Sequence, residues 1–307
     1  MTMIGTTMAP AAKGQVLRRF LRHRLAVLSA VILGLLILFA MSASLVEALL
    51  GIDADAVDLF ARYSPPTSQH LLGTDELGRD ILVRLMYGGQ VSLMVGLTAT
   101  IAAAVIGTTI GIISGYVGGR TDAFVMRVTD GVIALPLLPL LIVLAAIDLN
   151  KLGIPESIVS SEDVSLYRII VIVALAGWTT VARLVRASTL SIKTRPFVMA
   201  AQAQGATAFR IMTVHILPNL MSPIIVATTL SVGNVILLES VLSFLGLGIQ
   251  PPLPSWGNLL TGAQETIWES PGLAFFPGML IFVTVIAFNF IGDGLQDALD
   301  PRADDRR

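Results

Sequence analysis

The run VSLMVGLTATIAAAVIGTTIGIISGYVGG, Val91–Gly119, decides the fold class, because its 29 consecutive residues carry no charge. About 20 apolar residues in a helix are enough to span the hydrocarbon core of a bilayer, so this run can cross one. The 307-residue chain has the same character throughout, with 54% hydrophobic and 13% charged residues and a mean hydropathy of +0.81. Soluble domains carry about twice that share of charge. The sequence therefore predicts an integral membrane protein.

Five more apolar runs flank this one. They are Leu25–Leu45, Gly131–Ile147, Ile169–Ala182, Leu220–Leu242 and Pro271–Gly292. The first of them exceeds the roughly 7–15 residues of a signal-peptide core, so we expect it to be retained as a span. Ile169–Ala182 has only 14 uncharged residues and spans only if its helix continues past Arg183 and Arg186. The runs are continuous rather than alternating, which predicts an all-α membrane protein with six transmembrane helices.

The distribution of basic residues predicts the orientation. With six spans, both termini lie on one side, together with 15 of the 20 Lys and Arg residues, and 5 lie on the other side. Because cytoplasmic loops carry the excess of Lys and Arg, both termini and the 183–218 loop are predicted to be cytoplasmic. Residues 1–90 then hold an N-terminal cytoplasmic segment, the first helix and an extracytoplasmic segment. Residues 91–294 form a core of five helices, and residues 295–307 form a cytoplasmic tail.

The composition argues against several kinds of site. The chain has no cysteine, three scattered histidines and a net charge of −1, so the sequence predicts neither a metal site nor a nucleic-acid partner. A phosphate-binding loop of the form G-x-x-x-x-G-K-[ST] is absent, since none of Lys13, Lys151 and Lys193 follows a glycine.

Ionisable residues are scarce within the predicted spans, and Glu239 is the main one. Ion-coupled carriers usually place such groups at mid-membrane, so their scarcity favours a subunit that a partner protein powers. Glu239 either lines a solute pathway or lies at the outer interface or against a neighbouring helix, and the second interpretation is favoured.

Other polar and aromatic residues outside the runs have structural interpretations. Asp75, Arg79 and Asp80 are expected to form salt bridges and helix caps at the start of the second span rather than a catalytic cluster. Trp256 and Trp268 fit an interfacial aromatic belt.

The loop PFVMAAQAQGATAFRIMTVHILPN, Pro196–Asn219, lies between the fourth and fifth runs. Phe197–Ala203 and Ala206–Val214 are predicted to be two short helices bent at Gly205, because glycine permits a turn or a close backbone approach. The next span is expected to begin at the following Leu-Pro pair. Such a compact element suits a groove on a partner protein, or it is an ordinary interfacial connection. Periodicity alone does not choose between them.

This loop resembles the permease signature of ABC importers, E-A-A-x-x-x-G followed by I-x-L-P. Ala200, Ala201 and Gly205 match, and the sequence I-L-P appears as Ile216, Leu217 and Pro218. Met199 stands at the acidic first position, so the carboxylate that a salt bridge there would need is missing. The resemblance implies that the loop is the coupling helix, which docks on an ATPase subunit.

Further stretches resemble the C-type permease subunit of dipeptide, oligopeptide and nickel importers. They are LGTDELGRD (Leu72–Asp80), Tyr87-Gly88, Val91-Ser92-Leu93, ESVLSFLGLG (Glu239–Gly248), PSWGN (Pro254–Asn258) and GDGLQDALDPR (Gly292–Arg302). The resemblance implies a type I importer fold in the bacterial plasma (inner) membrane. It also implies a heterodimer with a second homologous permease subunit, two ATPase subunits or domains, and an extracytoplasmic binding protein. ATP and Mg would be bound by the partner ATPases, with no cofactor in this chain.

On this basis the expected function is passage of peptides or a related solute, without catalysis by this chain. The alternative is a self-contained secondary transporter or channel, which would work without nucleotide. A membrane-embedded enzyme ranks last, because the predicted spans contain no paired carboxylates and no histidine cluster.

Overall fold

A computed structural model of the protein describes residues 13–153, 155–159, 161 and 163–300. Regular structure over these residues is helical, apart from one isolated bridge between Thr74 and Asp80. The α-helices are α1 (Lys13–Phe20), α2 (Arg24–Met41), α3 (Ala43–Leu50), α4 (Ile81–Val117), α5 (Gly119–Ala134), α6 (Leu137–Ala145), α7 (Glu156–Val159), α8 (Val164–Ile192), α9 (Pro196–Ala203), α10 (Ala208–Arg210), α11 (Leu217–Phe244), α12 (Ala263–Thr266) and α13 (Gly272–Leu299). The all-α class is confirmed. Residues 1–12 and 301–307, which include both termini, lie outside the described residues.

Among the described residues, five helices are long and apolar enough to cross a membrane. They are α2, α4, α8, the continuous helix Ala208–Phe244 that contains α10 and α11, and α13. α5 and α6 together reach the length of a sixth span, but they meet at an angle of 88°. The six predicted spans therefore correspond to five helices and one bent pair.

The bend between α5 and α6 falls inside the third predicted span. Leu135 is extended, with φ −75° and ψ 137°, and Pro136 follows it. A proline ring clashes with a helical residue before it, so α5 ends there. The nine residues of α6 make about 14 Å of helix, which is too short to cross a bilayer alone. The third predicted span is therefore formed by two helical segments that meet at a sharp angle.

The fourth predicted span is long enough to cross a membrane, because its helix continues past the uncharged run as the sequence analysis required. α8 continues to Ile192, ten residues beyond the end of the uncharged run, and so passes Arg183 and Arg186. Arg183 pairs with Asp130 at 2.5 Å, and Arg186 pairs with Asp122 at 2.5 Å. Both carboxylates lie on α5. The end of α8 is therefore tied to α5 by ion pairs, which sequence spacing did not predict.

The charged cluster before α4 has the predicted structural role. The Asp80 carboxylate accepts a hydrogen bond from the Val83 N–H at 2.9 Å, which caps the helix, and Asp75 pairs with Arg79 at 2.8 Å. Because α4 begins at Ile81, the predicted segment boundary after residue 90 falls inside this helix. The boundary after residue 294 likewise falls inside α13. Neither of these two predicted boundaries coincides with the end of a helix.

A stripe of glycines brings α4 and α8 together. Gly107, Gly111 and Gly115 repeat at intervals of four, which places them on one face of α4. A methyl group on Gly111 would lie 2.6 Å from the Ala182 carbonyl oxygen, and one on Gly107 would lie 2.5 Å from the Trp178 carbonyl oxygen. Small residues in this pattern let membrane helices approach closely and gain dispersion contacts.

We predict that Gly111→Leu destabilises the chain by about 1–3 kcal/mol, because the added side chain overpacks the α4–α8 contact. The measurement is the thermal unfolding midpoint of the purified protein in detergent. Gly34→Leu on α2 is the matched control, since a methyl group there would meet nothing within 4 Å. Equal midpoints for the two variants would contradict the close-approach interpretation.

Candidate functional site

The first candidate site is α9 with the turn that follows it. Pro196 starts the helix, where its fixed φ suits the first turn and its missing N–H is not needed. The helix ends in a Schellman motif, in which the Ala206 N–H donates to the Ala201 carbonyl at 3.1 Å and the Gly205 N–H donates to the Gln202 carbonyl at 2.9 Å. Gly205 has φ +81°. The predicted turn at Gly205 is therefore present. Glycine suits this position because of the positive φ and not because of a close contact, since a methyl group there would meet nothing within 4 Å.

The second helical stretch of the loop is not separate from the next span. α10 begins after Thr207 and continues through the π-helical turns of Ile211–Ile216 into α11. The Leu217 N–H donates to the Met212 carbonyl, five residues back. This wider spacing makes room for the ring of Pro218, which would clash in a regular helix. α11 begins at the predicted Leu-Pro pair, but the helical path before it runs from Ala208 without a break.

Buried side chains fix this loop to three long helices. Val198 of α9 is fully buried, and Ala201 one turn later faces the same way. The apolar cluster that contains Val198 also holds Ile112 of α4, Val181 and Val185 of α8, Ile211 and Ile216 of the π-helical turns, and Leu220 and Ile224 of α11. α9 therefore packs mainly against the π-helical turns, which continue into α11, and its Val198 shares one apolar cluster with residues of α4 and α8.

The predicted coupling residues divide between this inner cluster and the surface. Ala201 and Ile216 are buried, and Leu217 is half-buried. Met199, Ala200, Gly205 and Pro218 are exposed.

Two exposed aromatic residues extend this surface and were not singled out from the sequence. Phe197 lies on α9, and Phe209, which is 74% exposed, lies on α10. Large aromatic side chains in an otherwise polar and small-residue loop are the sequence signal that could have indicated them, since such residues are enriched at the centres of interfaces.

The second candidate site surrounds Glu239 at the other end of α11. Its side chain is fully buried. The Ser243 hydroxyl donates to one carboxylate oxygen at 2.7 Å, and the Ser92 hydroxyl of α4 donates to the other at 3.2 Å. Glu239 thus lies against a neighbouring helix inside a closed polar cluster, rather than on a surface open to a pathway. The favoured interpretation of its position agrees with this geometry.

The same cluster holds the loop that contains Trp256. The Trp256 N–H donates to the Ser92 hydroxyl oxygen at 3.1 Å, and its indole N–H donates to the Leu85 carbonyl at 2.9 Å. Gly89 lets the ring approach α4, since a methyl group there would lie 2.9 Å from it. Trp256 is therefore a core residue, which corrects its assignment to an aromatic belt. Trp268, at 94% exposed, remains on the surface.

These features define a class of protein. A helical membrane bundle carries a short helix whose buried side joins an apolar cluster with residues of three long helices, and its sequence carries no nucleotide-binding loop. This is the organisation of a permease subunit. A sequence model of the binding-protein-dependent transport system inner membrane component matches residues 107–305, and one of the N-terminal TM domain of oligopeptide transport permease C matches residues 14–66. The chain belongs to this family of inner-membrane permease components.

Individual relatives agree over most of the chain. The oligopeptide transport system permease protein OppC of Bacillus subtilis is 38% identical over 284 residues, which cover 92% of this chain and 88% of the relative. The dipeptide permease DppC of Alkalihalophilus pseudofirmus is 38% identical over 92% of this chain and 87% of its own length. The glutathione permease GsiD of Pectobacterium atrosepticum is 38% identical over 93% of this chain and 89% of its own length.

We predict that Glu239→Ala loosens the loop around Trp256, whereas Glu239→Gln largely preserves it. Loss of the carboxylate leaves buried hydroxyl groups without their acceptor, at a cost of about 1–3 kcal/mol, while glutamine keeps the volume and one acceptor oxygen. Hydrogen–deuterium exchange of residues 246–261 measures the effect. The control is Glu265→Ala, which removes an exposed carboxylate from the same region. Unchanged exchange in Glu239→Ala would show that the cluster does not hold the loop.

Proposed function

We propose that this chain is the C-type permease subunit of an ATP-driven importer and forms part of the pathway for di- and oligopeptides or a related solute. Relatives of similar identity are named for oligopeptides, dipeptides and glutathione. Their named substrates share one chemistry, a chain of amide-linked amino acids. That shared chemistry supports a peptide as the solute class here.

Energy in this proposal comes from two partner ATPase subunits or domains that bind ATP and Mg. The observation that carries it is the packing of α9: one side is exposed, and the other packs on the π-helical turns that continue into α11, with Val198 in an apolar cluster that includes residues of α4 and α8. Interiors are close-packed, so a displacement of α9 is transmitted to those helices rather than absorbed. The ATPases shift the permease between inward- and outward-facing states only by contacting the two states with different free energies.

The docking surface in this chain is apolar at the position of the missing carboxylate. Met199 is 51% exposed, and Phe197, two residues earlier on α9, is also exposed. A methionine side chain is flexible and polarisable, so it adapts to an apolar groove where a salt bridge would demand a fixed partner. We infer that Met199 contributes packing to the ATPase contact.

The remaining partners follow from the same assignment. A second, homologous permease subunit completes the pathway as a heterodimer, and an extracytoplasmic binding protein delivers the solute. Both termini and the loop Pro196–Asn219 then face the cytoplasm, where the ATPases reside.

We predict that Gly205→Glu leaves membrane insertion intact but separates ATP hydrolysis from solute uptake. A residue with a side chain at φ +81° costs about 1–2 kcal/mol and deforms the turn beside the docking surface. The measurements are ATP hydrolysis and peptide uptake by the assembled transporter in proteoliposomes with its binding protein.

Gly205→Asn is the matched control, because asparagine tolerates this backbone conformation better than other residues with side chains. It should keep most of the coupling. Normal uptake by Gly205→Glu would contradict the coupling role. Gradient-driven flux through the purified chain alone would overturn the assignment to an ATP-driven importer.

A further inference from the structure

The short helix α1 has one side fixed to the end of α13. The Arg19 guanidinium donates to the Asp300 carbonyl oxygen at 3.2 Å, and the His23 ring lies 3.7 Å from the Asp297 carboxylate. The Phe20 ring packs over Gly294, where an added methyl group would lie 3.2 Å from it. These contacts fix the position of α1 relative to the membrane-spanning α13.

The other side of α1 is exposed and amphipathic. Leu17 of α1 and Leu21 of the turn that follows are 60% and 59% exposed, and the Leu21 N–H donates to the Leu17 carbonyl at 2.9 Å, so the two side chains lie one turn apart on one side and form an apolar stripe. Arg18 of α1 and Arg22 of the same turn are also exposed. In a soluble setting the leucine side chains would face water, and no described part of this chain covers them.

The apolar stripe continues into the lipid-facing surface of the first span. α2 begins at Arg24, directly after the turn that ends α1, and its exposed residues Leu25 and Leu28 belong to a helix apolar enough to cross the bilayer. The start of a span lies at the level of the headgroups. The stripe is therefore adjacent to the boundary between headgroups and acyl chains, where leucines partition and arginines meet phosphates.

We propose that α1, together with the turn that follows it, lies on the membrane surface and binds anionic phospholipid. Leu17 and Leu21 enter the acyl boundary, and Arg18 and Arg22 bind the headgroup phosphates. Among the described residues, the Asp297 carboxylate of α13 lies 3.7 Å from the His23 ring, and no carboxylate is paired with Arg18 or Arg22. Since the opposite side of α1 holds α13, the lipid contact also ties the end of that span to the membrane surface.

The test places a single fluorophore on α1 of the assembled transporter in nanodiscs. The chain has no cysteine, and Gly14 is exposed with open space around it, so Gly14→Cys gives a specific label one turn from Leu17. Quenching by spin-labelled phosphatidylglycerol is compared with quenching by spin-labelled phosphatidylcholine. Each arginine near an anionic surface adds about fivefold to lipid affinity, so we expect a several-fold preference for phosphatidylglycerol.

Two double variants make the result specific. Arg18→Gln with Arg22→Gln should reduce the preference to about one, because the charge contribution is lost. The matched control, Arg120→Gln with Arg127→Gln, removes two exposed charges from α5 and should leave the preference at α1 unchanged.

A third variant tests the apolar stripe. Leu17→Ser with Leu21→Ser should lower quenching by both lipids alike, because the helix no longer enters the acyl boundary. The proposal is overturned if neither lipid quenches the label, if both quench it equally, or if the preference survives loss of Arg18 and Arg22. Both leaflets of a nanodisc have the same composition, so the outcome does not depend on the orientation of the chain.

Discussion

The close contact between α4 and α8 is the constraint on which the rest of the bundle depends. Lipid tails are as apolar as the helices, so helices in a membrane are held by close packing rather than by the hydrophobic effect. Gly107, Gly111 and Gly115 supply that packing by removing side chains where the backbone of α8 passes. α4 then offers its remaining surface to α2 and α11, which places the two candidate sites at the ends of one packed unit.

One helix joins these two ends. α11 has 28 residues, about 42 Å of helix, with Leu220 in the apolar cluster around Val198 and Glu239 in the polar cluster with Ser92. The end at Leu217 is continuous with the π-helical turns and α10, and the end at Phe244 leads into the loop of Trp256. A displacement of α9 therefore has a direct structural route to the far side of the membrane along a single element.

The sequence was sufficient to predict a structural feature where the interactions that cause it lie within a few residues of the chain. Gly205 ends a short helix and has positive φ, as a Schellman motif requires. Asp80 precedes a helix, and its carboxylate caps that helix. The sequence was insufficient to predict a feature that depends on contacts between residues far apart in the chain. Ser92 and Glu239 are separated by 147 residues, so their hydrogen bond has no sequence signature, although both residues lie in stretches that pointed to the family.

By itself, the sequence determined the membrane class, the all-α fold and the family, because composition, run length and motifs are properties of the chain before it folds. Only the tertiary structure decided what prolines and polar groups do within it. Pro136 produces a sharp bend, whereas Pro218 lies in a continuous helix because π-helical turns precede it. Trp256 and Glu239 are core residues because partners from α4 satisfy their polar groups, and a buried polar group is tolerated only with such partners.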